Sequence, residues 1–109
     1  MKIEFKNICE NEMENFKGGD KSFFMKSFSD DKMKIMEGRL EPGASIGLHT
    51  HQGSCEVIYV LEGYGTIIYE GEQFPLCAGE CHYCPEGKSH SFKNTGDKSL
   101  KFLGIVPSF

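Results

Sequence analysis

Residues 43–63 read GASIGLHTHQGSCEVIYVLEG. Within it, SIGLHTH (45–51) is a strand candidate, and its two histidines, His49 and His51, stand one residue apart. Side chains alternate faces along a strand, so both imidazoles leave the same face, about 7 Å apart at the backbone. Gln52-Gly53-Ser54 forms a turn, and CEVIYVLE (55–62) follows, rich in the β-branched and aromatic residues that strands favour. Glu56 opens this second strand, so the turn folds its carboxylate back beside the histidine pair. His90 lies on a later strand after another turn. A lone His-x-His in a strand is ordinarily a solvated face, and a lone histidine a surface or core residue. Here three of the four histidines of the chain fall into one arrangement.

Outward from this stretch the pattern is all-β. MKIMEGRLE (33–41) ends at the Pro42-Gly43 turn. Beyond Gly63 come GTIIYE (65–70), QFPLC (73–77), ECHYC (80–84), KSHSFKN (88–94) and SLKFLGIV (99–106), separated by glycine- and proline-bearing turns. Short runs at about 8–10-residue spacing predict a sandwich or barrel, and the 13 glycines are its hairpin punctuation. Inside such a barrel, three imidazoles and one carboxylate make a borderline-to-hard divalent metal site.

Residues 1–32 differ in composition. They hold five of the nine phenylalanines (Phe5, Phe16, Phe23, Phe24, Phe28) in acidic and lysine-rich sequence. A short helical turn is expected around Glu10–Phe16. FFMKSF (23–28) reads as a strand, as an arm on a neighbouring subunit, or as aromatics closing one end of the domain's own core. The expected organisation is one domain, with residues 1–32 as an N-terminal arm and 33–106 as the barrel core.

At 109 residues the chain has the size of a single domain. Twelve basic against 16 acidic residues give a net charge of −4, and the pI is near 5.5. Nucleic-acid binding needs a basic footprint, and none is visible. No apolar run approaches the roughly 18–20 residues that span a bilayer, and MKIEFKNICENEMENF lacks a signal peptide's basic and apolar regions. A cytoplasmic location is expected. Five cysteines (Cys9, Cys55, Cys77, Cys81, Cys84) do not suggest a disulfide framework. In a strand Cys81 and Cys84 point to opposite faces, unlike a zinc knuckle, and the cysteines read as small hydrophobes.

Both halves of the metal constellation sit in longer patterns. Gly43-ASIGL-His49-T-His51-QGSC-Glu56-VIYVLE-Gly63 resembles the first cupin motif, G-x5-H-x-H-x3,4-E-x6-G. Gly79-ECHYC-Pro85-E-Gly87-KS-His90-SFK-Asn94 resembles the second, G-x5-P-x-G-x2-H-x3-N, and every fixed position of both is filled. The 15 residues between Gly63 and Gly79 are short for that family, as in its small bacterial single-domain members. The resemblance implies a small antiparallel β-barrel of jelly-roll type, in which His49, His51, Glu56 and His90 ligate one divalent metal ion. Fe, Mn, Ni, Zn, Cu and Co all suit three nitrogens and one oxygen.

Arg39, Tyr59, Tyr69 and His82 are further candidates for a substrate pocket. Arg39, the only arginine, clamps a carboxylate if it faces inward and is a surface charge if outward. His82 contacts substrate or a ligand if its face lines the barrel, and otherwise is a partly exposed structural histidine. Tyr59 and Tyr69 read as packing residues or pocket phenols. Open coordination positions on a site of about +1 charge favour a small anionic or chelating ligand. Two functions follow: a metal-dependent enzyme (dioxygenase, decarboxylase, isomerase or lyase) on a small organic acid, polyol or aromatic, or a non-catalytic binding or sensing module. A homodimer is expected, its sheet edges covered by the N-terminal arm.

Overall fold

The computed structural model describes residues 1–109. Ten strands follow one another: β1 (Asn11–Glu14), β2 (Ser22–Ser29), β3 (Met33–Leu40), β4 (Ser45–Thr50), β5 (Glu56–Glu62), β6 (Tyr64–Tyr69), β7 (Glu72–Cys77), β8 (Cys81–Cys84), β9 (Ser89–Lys93) and β10 (Leu100–Pro107). The eight from β3 onward match the expected runs to within one residue at almost every boundary. Two sheets form, one of six strands in the order β1-β2-β3-β10-β5-β8 and one of four in the order β4-β9-β6-β7. Every pairing is antiparallel. The result is the expected antiparallel jelly roll, with seams between the sheets rather than a continuous ladder.

Alternation fixes which side chains fill it. On β3, Met36, Gly38 and Leu40 point inward and Glu37 and Arg39 outward; on β5, Glu56, Ile58 and Val60 point inward. Phe92 and Phe102 pack edge to face with centroids 5.3 Å apart, and Phe23 stacks on Phe102 at 5.8 Å. Leu40, Val60, Ile67, Leu100 and Phe102 are wholly buried around them. The inward rows are continuous with the site: Glu56 precedes Ile58 and Val60 on one, and His90 precedes Phe92 on another. One half of the interior is therefore apolar and the other carries the polar cluster.

Asn94 ties the apolar end together. Its Nδ2 donates to the carbonyls of Leu40 and Lys98, each at 2.8 Å, and its Oδ1 accepts from the Gly96 N–H. Gly63 lies at φ +79°, and a side chain there would meet the Ser99 carbonyl 2.6 Å away, so the β5–β6 turn requires glycine.

The N-terminal segment departs from expectation. No helical turn spans Glu10–Phe16; Asn11–Glu14 is a strand paired with β2. Asn15 and Lys17 adopt left-handed conformations (φ 50° and 56°), which reverse the chain through a short 3₁₀ turn, Phe16–Gly18. β2 pairs with β3 over seven residues, and Phe23 and Met25 enter the common core. Of the five N-terminal phenylalanines, Phe23 thus joins the domain's own core with Phe16 packed against it, while Phe24 and Phe28 lie on the outer face of β2.

Candidate metal centre

His49 is carried by β4, His51 follows its end, Glu56 opens β5 and His90 lies on β9. β4 and β9 pair with His49 opposite His90, which brings the two histidine segments together across a ladder. The sharp turn through Gly53 (φ +72°) and Ser54 returns the chain so that Glu56 faces His51. The ligand-type atoms of His49, His51, Glu56 and His90 all lie within 4.8 Å of one another.

The finer geometry is that of donors around one centre. His51 Nε2 is 3.0 Å from His90 Nε2, and Glu56 Oε1 is 3.1 Å from the first and 3.0 Å from the second. Ligands about 2.1 Å from one ion and at right angles to each other are about 3.0 Å apart, so this triangle fits a divalent metal. Each imidazole is held from behind by its other nitrogen. His49 Nδ1 lies 2.8 Å from the Gly47 carbonyl, which can only accept, so the proton sits on Nδ1 and Nε2 keeps its lone pair. His51 Nδ1 meets Ser54 Oγ at 3.1 Å, and His90 Nδ1 meets His82 Nε2 at 3.0 Å. Outward nitrogens engaged and inward nitrogens converging is the usual arrangement of metal-binding histidines.

Electrostatics agree. Burial opposes charge on Glu56, but the His51 and His90 imidazoles against it overcome this and hold the carboxyl pKa at about 2. Burial pushes His49 below the ordinary histidine range, against the opposing pull of its Gly47 bond. His82 is pushed down to about 4, first by burial and then by His90, so it is a neutral imidazole. The Cys84 thiol is pushed up to about 11, first by burial and then by the Glu56 charge. Cys84 forms a second grouping with His82 and His90, which shares His90 with the first.

A void of about 10 Å³ is lined by His49, Glu56 and His90 with Ile46, Ile58 and Phe92. Beside it a cavity of about 320 Å³ opens, reaching His49, His51 and Glu56. Its other walls include Phe16, Lys17, Lys34, Met36 and Val106. The N-terminal turn and the start of β3 thus form pocket walls that the sequence reading did not assign. One signal was available: Lys34 shares the parity of Met36 and Leu40, a charge on the core face of β3.

The remaining candidates divide. His82 faces inward and is 5% exposed, so the partly exposed alternative is set aside. Tyr69 also faces in, its ring 5.4 Å from that of His82, but neither residue is among those lining the cavity or the void. Arg39 is not in the pocket: it lies on the outer face of β3, paired with Glu10 and Glu41 at 2.8 and 2.9 Å and stacked 4.1 Å over Phe24. Tyr59 is 42% exposed on the outer face of β5, three residues from Glu56 and therefore of opposite parity. Cys81 is exposed and Cys84 buried, on the opposite faces expected, and all five cysteines are free.

Residues 36–106, well over half the chain, match the Cupin domain family. The chain belongs to the cupin family. It is 41% identical over 68 residues to an oxalate-binding protein of Thermotoga maritima, an alignment covering 62% of this cupin and 56% of that protein. The chain spans less than two thirds of the curated relatives that it matches. Among solved structures, a predicted oxalate decarboxylase from Thermotoga maritima superposes with a TM-score of 0.94 at 30% identity, covering both chains completely. A putative sugar phosphate isomerase from Acidithiobacillus ferrooxidans gives 0.70 at 29% identity, covering 79% of this cupin and 60% of that chain. No helix is long and apolar enough to cross a membrane.

Proposed function

We propose that His49, His51, Glu56 and His90 hold one divalent metal ion, and that the chain is a metal-dependent enzyme acting on a small organic acid. The observation that carries this reading is the roughly 3 Å triangle of His51 Nε2, His90 Nε2 and Glu56 Oε1, backed by a partner on each outward-facing nitrogen. When bound, the ion supplies Lewis acidity and an excess charge of about +1 at positions the four side chains leave free. The side chains themselves set the ligand field: Gly47, Ser54 and His82 orient the three rings, and the apolar walls of Phe16, Met36, Ile46 and Val106 limit water around the ligand. Similarity to an oxalate-binding protein and a predicted oxalate decarboxylase supports a carboxylate as the group recognised.

A second reading, a binding module without turnover, is favoured by one observation. Apart from the four candidate ligands, the cavity lining holds no imidazole or carboxylate to serve as general acid or base. Metal-loaded protein exposed to a panel of carboxylates and diols, with O2 uptake, CO2 release and calorimetry read in parallel, separates the two. Turnover that the His49→Ala variant lacks supports the enzyme; metal-dependent heat without turnover supports the module.

Homodimer formation belongs to the same proposal. Its support is the outer face of the six-stranded sheet, where Phe28, Ile35, Ile105, Val57 and Tyr83 line up across five strands. A monomeric mass by light scattering at micromolar concentration would count against it. A cytoplasmic location is supported by the five free cysteines, which suit a reducing compartment.

A further inference from the structure

The cavity beside the histidine cluster inverts the charge of the chain. Acidic residues outnumber basic ones 16 to 12 overall, yet the lining holds two lysines, Lys17 and Lys34, and its only carboxylate is the candidate ligand Glu56. Neither lysine has a counter-ion. The paired lysines are Lys2, Lys88, Lys93 and Lys101.

Lys34 is the better placed. It is half-buried on the inward face of β3. Two residues on, Met36 sits opposite Gly104, and over that glycine the Met36 and Glu56 side chains come together, each within 3.4 Å of where a Cβ would stand. Lys34 is therefore one pleat, about 7 Å, along the same wall from a residue that shares the space over Gly104 with Glu56. It lines one space with Phe16, Phe23, Met36, Ile46 and Val106, where an unpaired cation attracts an anion more strongly than at an open surface. Lys17, an exposed residue, lines the same cavity from the 3₁₀ turn packed against β4, its Nζ 5.5 Å from the Phe16 ring centroid. The cavity's 320 Å³ is about ten water volumes, more than a two-carbon acid fills.

We propose that Lys34, assisted by Lys17, grips a second anionic group of the ligand whose first group is held at the metal centre. The ligand class is then a small organic dianion of about four or five carbons, or a short hydroxy acid carrying a phosphate. This rests on the metal-site reading above.

Calorimetry on metal-loaded protein at low ionic strength tests it with matched pairs: succinate against butyrate, glutarate against valerate, and phosphoglycolate against glycolate. The dianion of a pair binds at least about tenfold more tightly than its partner, the size of one charge-assisted contact. Which pairs show the preference identifies the second group as carboxylate or phosphate. Lys34→Gln reduces the preference to about twofold or less, and Lys34→Arg, which keeps the charge, restores it; circular dichroism and metal affinity verify that both variants fold. Equal affinity within every pair, or a preference that survives Lys34→Gln, overturns this proposal alone. Failure of the wild type to bind any divalent ion overturns the metal-site reading and this proposal with it.

Discussion

His82 Nε2 lies 3.0 Å from His90 Nδ1, on the side of the His90 ring that faces away from Glu56 and His51. For His90 Nε2 to offer a lone pair to a metal, Nδ1 must carry the proton and His82 must accept it. His82, neutral and 5% exposed, suits that role. Replacing it with Phe keeps a slightly larger aromatic ring in place and removes the acceptor. Metal affinity, measured by chelator competition, is expected to fall roughly 10–100-fold, as for other lost orienting partners. His82→Asn, which keeps an acceptor, recovers part of the loss; unchanged affinity in His82→Phe would show that the contact does not orient His90.

Gly47 links the metal centre to the N-terminal turn. A side chain there would stand 2.1 Å from the Lys17 carbonyl oxygen and 2.7 Å from the Gly19 nitrogen. The same residue's carbonyl accepts from His49 Nδ1. Gly47→Ala is expected to cost about 1–3 kcal/mol through overpacking, and also to weaken metal binding by shifting that carbonyl. Urea unfolding and a metal titration on one sample check both effects.

Phe102 is fully buried between Phe23 and Phe92, at the end of the interior away from the polar cluster. Phe102→Ala is expected to destabilise the fold by about 3–5 kcal/mol. A loss under about 1 kcal/mol by urea unfolding would contradict the assigned core.

Arg39 gives the opposite expectation. Its ion pairs with Glu10 and Glu41 are on the outer face, with the arginine side chain 28% exposed, and such pairs contribute at most about 1 kcal/mol. Arg39→Ala is expected to leave metal and carboxylate binding unchanged in the same titrations. A large loss of carboxylate affinity would return Arg39 to the pocket.

A bound metal also stabilises the fold it selects. At a free concentration 100 times its dissociation constant, the ion adds about 2.7 kcal/mol, which for a chain of this size raises the melting temperature by roughly 10 °C or more. Thermal melts with added Mn2+ or Zn2+, and again after EDTA, test this. The rise is expected in the wild type and not in Glu56→Ala.

What the sequence disclosed followed period-two logic. His49 and His51 share a face because they are two apart, and Glu56 is brought to them by a turn only a few residues long, so local spacing was enough. Tyr59 could have been excluded in the same way, being of opposite parity to Glu56. β3 was harder: Met33 and Ile35 make one face apolar and Met36 and Leu40 the other, so the parity that Lys34 shares with Met36 and Leu40 was informative only once the even-numbered face was known to be the inner one. The N-terminal strands rest on the non-local pairing of β2 with β3 and on left-handed Asn15 and Lys17; asparagine adopts that conformation readily, but lysine does so rarely, so no local signal marks it. The contact between His82 and His90 depends on two strands from different sheets facing each other across the interior, which no local pattern specifies.

The central claim is that His49, His51, Glu56 and His90 hold one divalent ion. Elemental analysis of protein purified without added metal, followed by titration with a divalent ion beside a His49→Ala/His51→Ala variant, tests it most directly. The account predicts binding that saturates at about one ion per chain in the wild type and is lost in the variant. Less than about 0.1 ion per chain as purified, with no binding on titration, would contradict it.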